Sequence, residues 1–196
     1  MTPVTLEVVR RRLTAHSPDR VIDPSAVEAA VALVLAPTGR GGLDALLIER
    51  ATRPEDPWSG QVAFPGGRRD PADASLLDTA IREVSEEVGV RLRETDLLGE
   101  LDDVHPRTKT LPSIVVRPFV FGLHSQPSIR HSEEVASHYW ASLDELMTPG
   151  VYGDVEIQLV QRTFPAYRLG HLIVWGMTER IITPFLHLAI EDPTND

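Results

Sequence analysis

The spacing of apolar and polar positions divides the chain into short strands separated by a few helices. Thr5 to His16 predicts a helix, because Leu6, Val9 and Leu13 recur on one face and Pro18 stops it. Within Ser25 to Pro37 the run Ala-Ala-Val-Ala-Leu-Val-Leu suits a buried strand. Thr38-Gly39-Arg40-Gly41-Gly42 predicts a turn, and Leu43 to Ala51 the returning strand of a hairpin. Two prolines make Thr52 to Gly60 a loop, and Gln61 to Phe64 reads as a short strand ended by Pro65-Gly66-Gly67. The clearest helix is Asp73 to Val88, with Asp73 as its cap and Gly89 ending it in a left-handed conformation. Further strands are expected at 97–101, 114–123 and 135–140, with a helical turn at 143–147. A hairpin of two strands, 155–163 and 167–174, precedes a last helix at 177–190 that Pro184 is expected to kink or interrupt. Strands interspersed with helices predict an α/β or α+β domain.

Composition narrows the class. A chain of 196 residues with 42% hydrophobic and 24% charged residues is expected to fold as one globular domain, not to stay disordered. The boundaries read as an N-terminal helical extension over 1–24, a main domain over 25–190 and a short tail over 191–196. No apolar run reaches the roughly 18 residues of a membrane span, and Arg10-Arg11-Arg12 breaks any signal core. A cytoplasmic protein without a membrane partner is therefore expected. The absence of cysteine excludes disulfides, thiolate metal sites and a cysteine nucleophile. A net charge of −10 argues against a nucleic-acid partner, leaving room for a local basic patch that holds phosphates.

The chemistry concentrates in Gly66 to Val90, GGRRDPADASLLDTAIREVSEEVGV. At about 100° per residue, with Val84 at zero, Leu77, Ala80, Ile81, Val84 and Val88 form a stripe between about −40° and +60°. Glu87 falls near about −60° and Glu83 near about −100°, one turn apart at the edge of that stripe. Glu86 lies further round, within reach of Arg82 four residues earlier. Three carboxylates this close suit a hard divalent cation such as Mg²⁺ or Mn²⁺. The alternative is a solvated acidic helix face. The open backbone of Phe64-Pro65-Gly66-Gly67 beside the helix favours the cation, because its carbonyls can ligate and its amides can face phosphate.

Arg82-Glu83-Val84-Ser85-Glu86-Glu87-Val88-Gly89-Val90 resembles the second half of the Nudix box, R-E-U-x-E-E-x-G-U with U aliphatic. The first half departs: counting back from Arg82 places Arg68 and Ala74 where the box has Gly and Glu. Counting forward from Gly67 places Asp73 at the Glu position, which implies one inserted residue. The resemblance implies an α/β/α sandwich with a mixed β-sheet and hydrolysis of a diphosphate linked to a nucleoside. It implies Glu83 and Glu87 as main metal ligands and Glu86 as a further ligand or the base that activates water. It also implies that Arg82 orients the glutamates and that the Gly67 carbonyl ligates. A homodimer is common among such proteins.

Two further segments resemble the extra motif of coenzyme A diphosphatases: Leu46-Leu47-Ile48-Glu49-Arg50-Ala51 and Gly60-Gln61-Val62-Ala63-Phe64-Pro65-Gly66-Gly67. Asp70-x-x-Asp73 and Trp175-Gly176-Met177-Thr178 look like the same subfamily. That likeness implies cleavage of coenzyme A or an acyl derivative into 4′-phosphopantetheine and adenosine 3′,5′-bisphosphate, with Arg50, Arg53, Gln61 and Arg68 as substrate-binding candidates. The departure is Glu55, which stands where the motif has a second arginine; Arg53 is the nearest replacement cation. ADP-ribose, a dinucleotide, a nucleoside triphosphate or a non-catalytic nucleotide sensor are the alternatives. Trp58 can stack on adenine or cover core, and His105-Pro106-Arg107-Thr108-Lys109 is a basic loop or a solvated turn. Glu133 and Glu134 stand either as loop bases or as a charged strand entrance. The histidines show no metal-ligand spacing, and His138, followed by Tyr139 and Trp140, reads as structural.

Overall fold

The computed structural model describes residues 4–39, 41–53, 59–106 and 113–190. The elements are α1 (Leu6–Ala15), β1 (Val27–Pro37), β2 (Leu43–Arg50), β3 (Val62–Ala63), β4 (Gly66–Arg68), α2 (Leu76–Val88), β5 (Leu97–Glu100) and β6 (Ile114–Gly122). They continue with β7 (Val135–Ser142), α3 (Leu143–Leu146), β8 (Tyr152–Ile157), β9 (Arg162–Leu169), β10 (Leu172–Trp175) and α4 (Met177–Ile190).

The main sheet runs β3-β2-β1-β6-β5, with β4 added to β1 and β7 to β2. β1 and β6 are parallel and the other pairings antiparallel, so the sheet is mixed. The apolar run of β1 is buried on both faces, as a central strand requires. Ala30, Ala32 and Val34 pack with Ala80, Val84 and Val88 of α2 on one side. Leu33 and Leu35 pack on the other with Val9 and Leu13 of α1 and Ile182, Phe185 and Leu186 of α4. Helices thus cover both faces, giving the expected sandwich. The first helix is part of the main core.

Several details differ from the sequence reading. Helix α2 starts at Leu76, and Ser75, not Asp73, caps it by accepting from the Asp78 N–H at 3.2 Å. Gly89 ends the helix in the left-handed region (φ 70°), as expected. The Gly66-Gly67-Arg68 segment is a strand, not only a turn. The expected two-stranded hairpin is a three-stranded sheet, β10-β9-β8, because turns fall inside both expected strands. Helix α4 runs through Pro184 without interruption. Among the described residues no helix is long and apolar enough to cross a membrane.

Candidate active site

The site is built where β4 lies between β1 and α2. Gly67 pairs with Ala30 and Gly66 with Val31. A side chain at Gly66 would collide with the Ala30 carbonyl and lie 2.6 Å from the Val31 Cα, so this approach requires glycine. The Gly66 N–H then donates to Glu87 Oε2 at 2.9 Å. Glu87 is 3% exposed, deeper than the stripe edge the helix arithmetic gave it. Burial pushes its carboxyl up to about 8, and the neighbouring Glu83 adds to that, against the pull of the Gly66 N–H and Arg50. Burial also raises Glu83, with Arg82 opposing.

Arg82 organises the carboxylates. Its Nη1 donates to Glu83 Oε1 and to Glu86 Oε2, both at 2.9 Å. Its Nε and Nη2 reach Asp73 at 3.0 and 2.9 Å, and Nη2 also reaches the Arg68 carbonyl at 3.2 Å. Asp73 accepts in addition from the Asp70 N–H at 2.9 Å and the Thr79 hydroxyl at 2.8 Å. The Arg82 guanidinium holds the Asp73 carboxyl far below the usual range. The carboxylate that the forward count from Gly67 suggested is therefore present and pairs with the box arginine, one residue displaced and one methylene shorter than Glu.

An open cleft of about 450 Å³ lies over these groups. Glu83, Glu87, Gly67, Arg82, Arg50 and Arg68, all candidates from the sequence, line it together. Glu134 also lines it, from the loop before β7, whereas Glu133 does not. Arg69 and Asp70 are additions. Arg69 is fixed by Glu28 at 2.9 Å and by the carbonyls of Asp73 and Ala74. The doubled arginine after Gly-Gly was the available signal for it.

Three expected residues do not line the cleft. Glu86 is turned toward solvent, its side chain 59% exposed and tied to Arg82, because position 86 faces away from the sheet. Gln61 contributes its carbonyl, which accepts from the Arg50 N–H at 3.0 Å and holds the end of β2. Arg53 pairs with Glu134 at 2.9 Å, beside the cleft. Glu55, Trp58, Arg107 and Lys109 lie outside the described residues.

Among the described residues no three carboxylate or imidazole groups already converge as a metal cluster. The donor set nevertheless suits a hard cation: Glu83 and Glu87 share the cleft, Glu87 buried with its charge poorly compensated, beside a glycine backbone. A side chain on Gly67 would overlap the Glu83 carboxylate, with the Glu83 Cδ at 2.6 Å. Because the obstructed group is the end of a flexible side chain, Gly67→Ala is expected to fold with a stability change below about 1 kcal/mol while displacing Glu83. Gly66→Ala, which meets backbone, is expected to lower stability by more. Thermal melts paired with kcat for the two variants check this contrast.

Comparison with known proteins settles the family. A profile of the NUDIX domain matches residues 26–161, well over half of the chain and including β1 to β7. The chain belongs to the Nudix family. It is 36% identical over 160 residues to the Nudix hydrolase NudL of Citrobacter koseri, covering 79% of each protein. It is 37% identical over 142 residues to an uncharacterized protein of Schizosaccharomyces pombe, spanning 67% of this chain but only 43% of the yeast protein. The crystal structure of a MutT/nudix family protein from Enterococcus faecalis matches it with a TM-score of 0.60 at 16% identity, over 91% of this chain and 66% of that one. The sandwich described above is thus the Nudix fold.

Proposed function

We propose that this Nudix hydrolase splits coenzyme A or an acyl-coenzyme A at its diphosphate, releasing 4′-phosphopantetheine and adenosine 3′,5′-bisphosphate. The observation that carries the chemistry is the cleft itself: Glu83 and Glu87 face a space rimmed by Arg50, Arg68 and Arg69. Carboxylates there suit a cation, and guanidinium groups suit the oxygens of a diphosphate. Glu83, Glu87 and the Gly67 carbonyl would hold Mg²⁺ or Mn²⁺. Such an ion, when bound, acidifies water and offsets charge on phosphoryl oxygens. Arg82 keeps Glu83 oriented while Asp73 anchors Arg82.

Glu134 is the better placed proton acceptor. It lines the cleft, whereas Glu86 is held at the surface by Arg82. Its place is fixed by its own carbonyl, which accepts from the Ala51 N–H at 2.8 Å. Arg50 and Arg68 bind the diphosphate in this reading, and Arg53 exchanges Glu134 for a substrate phosphate.

The coenzyme A assignment rests on motif residues that meet at this site. Arg50 ends β2, and the Gly60–Gly67 segment returns along it through β3 to deliver Gly66 and Gly67. Glu55 in place of an arginine favours the second reading, a different nucleoside diphosphate derivative such as ADP-ribose or a dinucleotide. The deciding experiment offers coenzyme A, acetyl-coenzyme A, ADP-ribose, NADH, diadenosine polyphosphates and nucleoside triphosphates with Mg²⁺ or Mn²⁺, and identifies products by mass. Highest kcat/KM on coenzyme A, with adenosine 3′,5′-bisphosphate formed, is expected. Faster cleavage of another compound overturns the substrate and keeps the chemistry. Binding without turnover of any compound overturns the enzymatic reading.

A further inference from the structure

Outside the lining of the cleft, the loop before β7 folds back so that His131 meets His138. His131 Nε2 stands 2.7 Å from His138 Nδ1, and the rings are edge-on, with centroids 4.9 Å apart and planes at 67°. Both backbones are held. The segment around His131 is bonded to the end of α2, through the Arg130 N–H to the Val88 carbonyl and the Ser132 N–H to the Glu87 carbonyl, each at 3.0 Å. His138 sits in β7 opposite Ile48 of β2. The two imidazoles are seven residues apart, a separation that carries no metal signature in the sequence. The fold alone brings their nitrogens together.

From this geometry we propose that His131 and His138 form a two-imidazole binding site for a borderline transition-metal ion, Zn²⁺, Ni²⁺ or Cu²⁺, separate from the oxygen-lined cleft. Imidazole nitrogen prefers these ions, whereas carboxylate and carbonyl oxygen suit Mg²⁺ and Mn²⁺. The two sites therefore sort metals by donor type. Two nitrogens each bonded at about 2.0–2.1 Å to a tetrahedral ion stand about 3.3 Å apart. The pair must open by about 0.6 Å from its hydrogen-bonded separation. His131 is exposed on a loop, so a small ring rotation suffices. The N–H that now bridges the rings leaves the axis when the donor ring takes its other tautomer, and both lone pairs then face the ion. Burial and the neighbouring His131 disfavour the charged form of His138, which keeps it available as a neutral ligand. Water completes the coordination.

The test uses the full chain carrying Glu83→Gln and Glu87→Gln, so that ions entering the cleft are not counted. Calorimetric titration with Zn²⁺ in excess Mg²⁺, and visible spectra with Cu²⁺, are recorded for this protein and for versions with His131→Ala or His138→Gln added. Metal-free melts confirm that each version is folded. One equivalent of Zn²⁺ and an imidazole-type Cu²⁺ spectrum are expected with both histidines present, and loss of both signals with either histidine replaced. Absence of the equivalent from the parent overturns the site. So does its persistence in either histidine variant.

Discussion

Glu87→Gln is expected to lower kcat by about 10³-fold and, in metal-free protein above neutral pH, to make the fold more stable. The two effects have one cause. Glu87 is buried, and its position is useful only if a cation balances its charge. Glutamine keeps an oxygen for the Gly66 N–H and removes the charge. In wild-type protein the folded carboxyl titrates near 8 and the unfolded one near its ordinary 4.5. Between those values the folded state holds one more proton than the unfolded state. Metal-free stability therefore falls as pH rises through that window, by up to about 1.4 kcal/mol per pH unit. The variant lacks this slope. Melts from pH 5 to 8.5 without metal should show the wild-type Tm falling relative to that of Glu87→Gln, and Mg²⁺ should restore the wild type alone. Glu83→Gln is expected to lose comparable activity. Retention of wild-type kcat by both variants would sink the proposed chemistry.

The same residue shows what the sequence could and could not reveal. The 3.6-residue period placed Glu83 and Glu87 on one side of α2, because that depends only on local geometry. It put Glu87 at the margin of the apolar stripe. The depth of its burial comes from β4, which lies over it through Gly66, and that strand was hidden because Pro-Gly-Gly reads as a turn. Glu134 was one of two adjacent glutamates with no local feature to separate them. A long-range bond between the Ala51 N–H and the Glu134 carbonyl fixes which one reaches the cleft. The split of the expected hairpin into β8, β9 and β10 had uneven signals. Gly170 marks one turn, but the other contains Leu159, Val160 and a left-handed Gln161 (φ 49°), residues that do not announce a turn. The central hydrophobic strands were legible because burial on both faces demands an unbroken apolar run.

Asp73→Asn is expected to reduce stability by about 3 kcal/mol and to lower kcat although Asp73 does not touch the cleft carboxylates. Its side chain is 6% exposed and takes two arms of Arg82, one backbone N–H and one hydroxyl. Asparagine can keep one or two of these bonds but not the charge that balances Arg82. The guanidinium is then free to turn, and Glu83 and Glu86 lose the group that spaces them. Because Arg82 holds the folded Asp73 pKa well below its unfolded value of 3.8, this pairing stabilises the fold fully above that value. The contribution disappears as pH falls below it. Wild type and Asp73→Asn should therefore converge in stability at strongly acid pH. Arg82→Lys separates the two roles. It preserves one positive charge and a single contact to Asp73, but no ammonium can reproduce a fork that reaches Asp73, Glu83 and Glu86 together. A large fall in kcat with a smaller fall in Tm is expected. The double variant should cost less than the two single changes summed, since both break one ion pair. Strict additivity in Tm and kcat would show that Asp73 supports the fold without positioning Arg82.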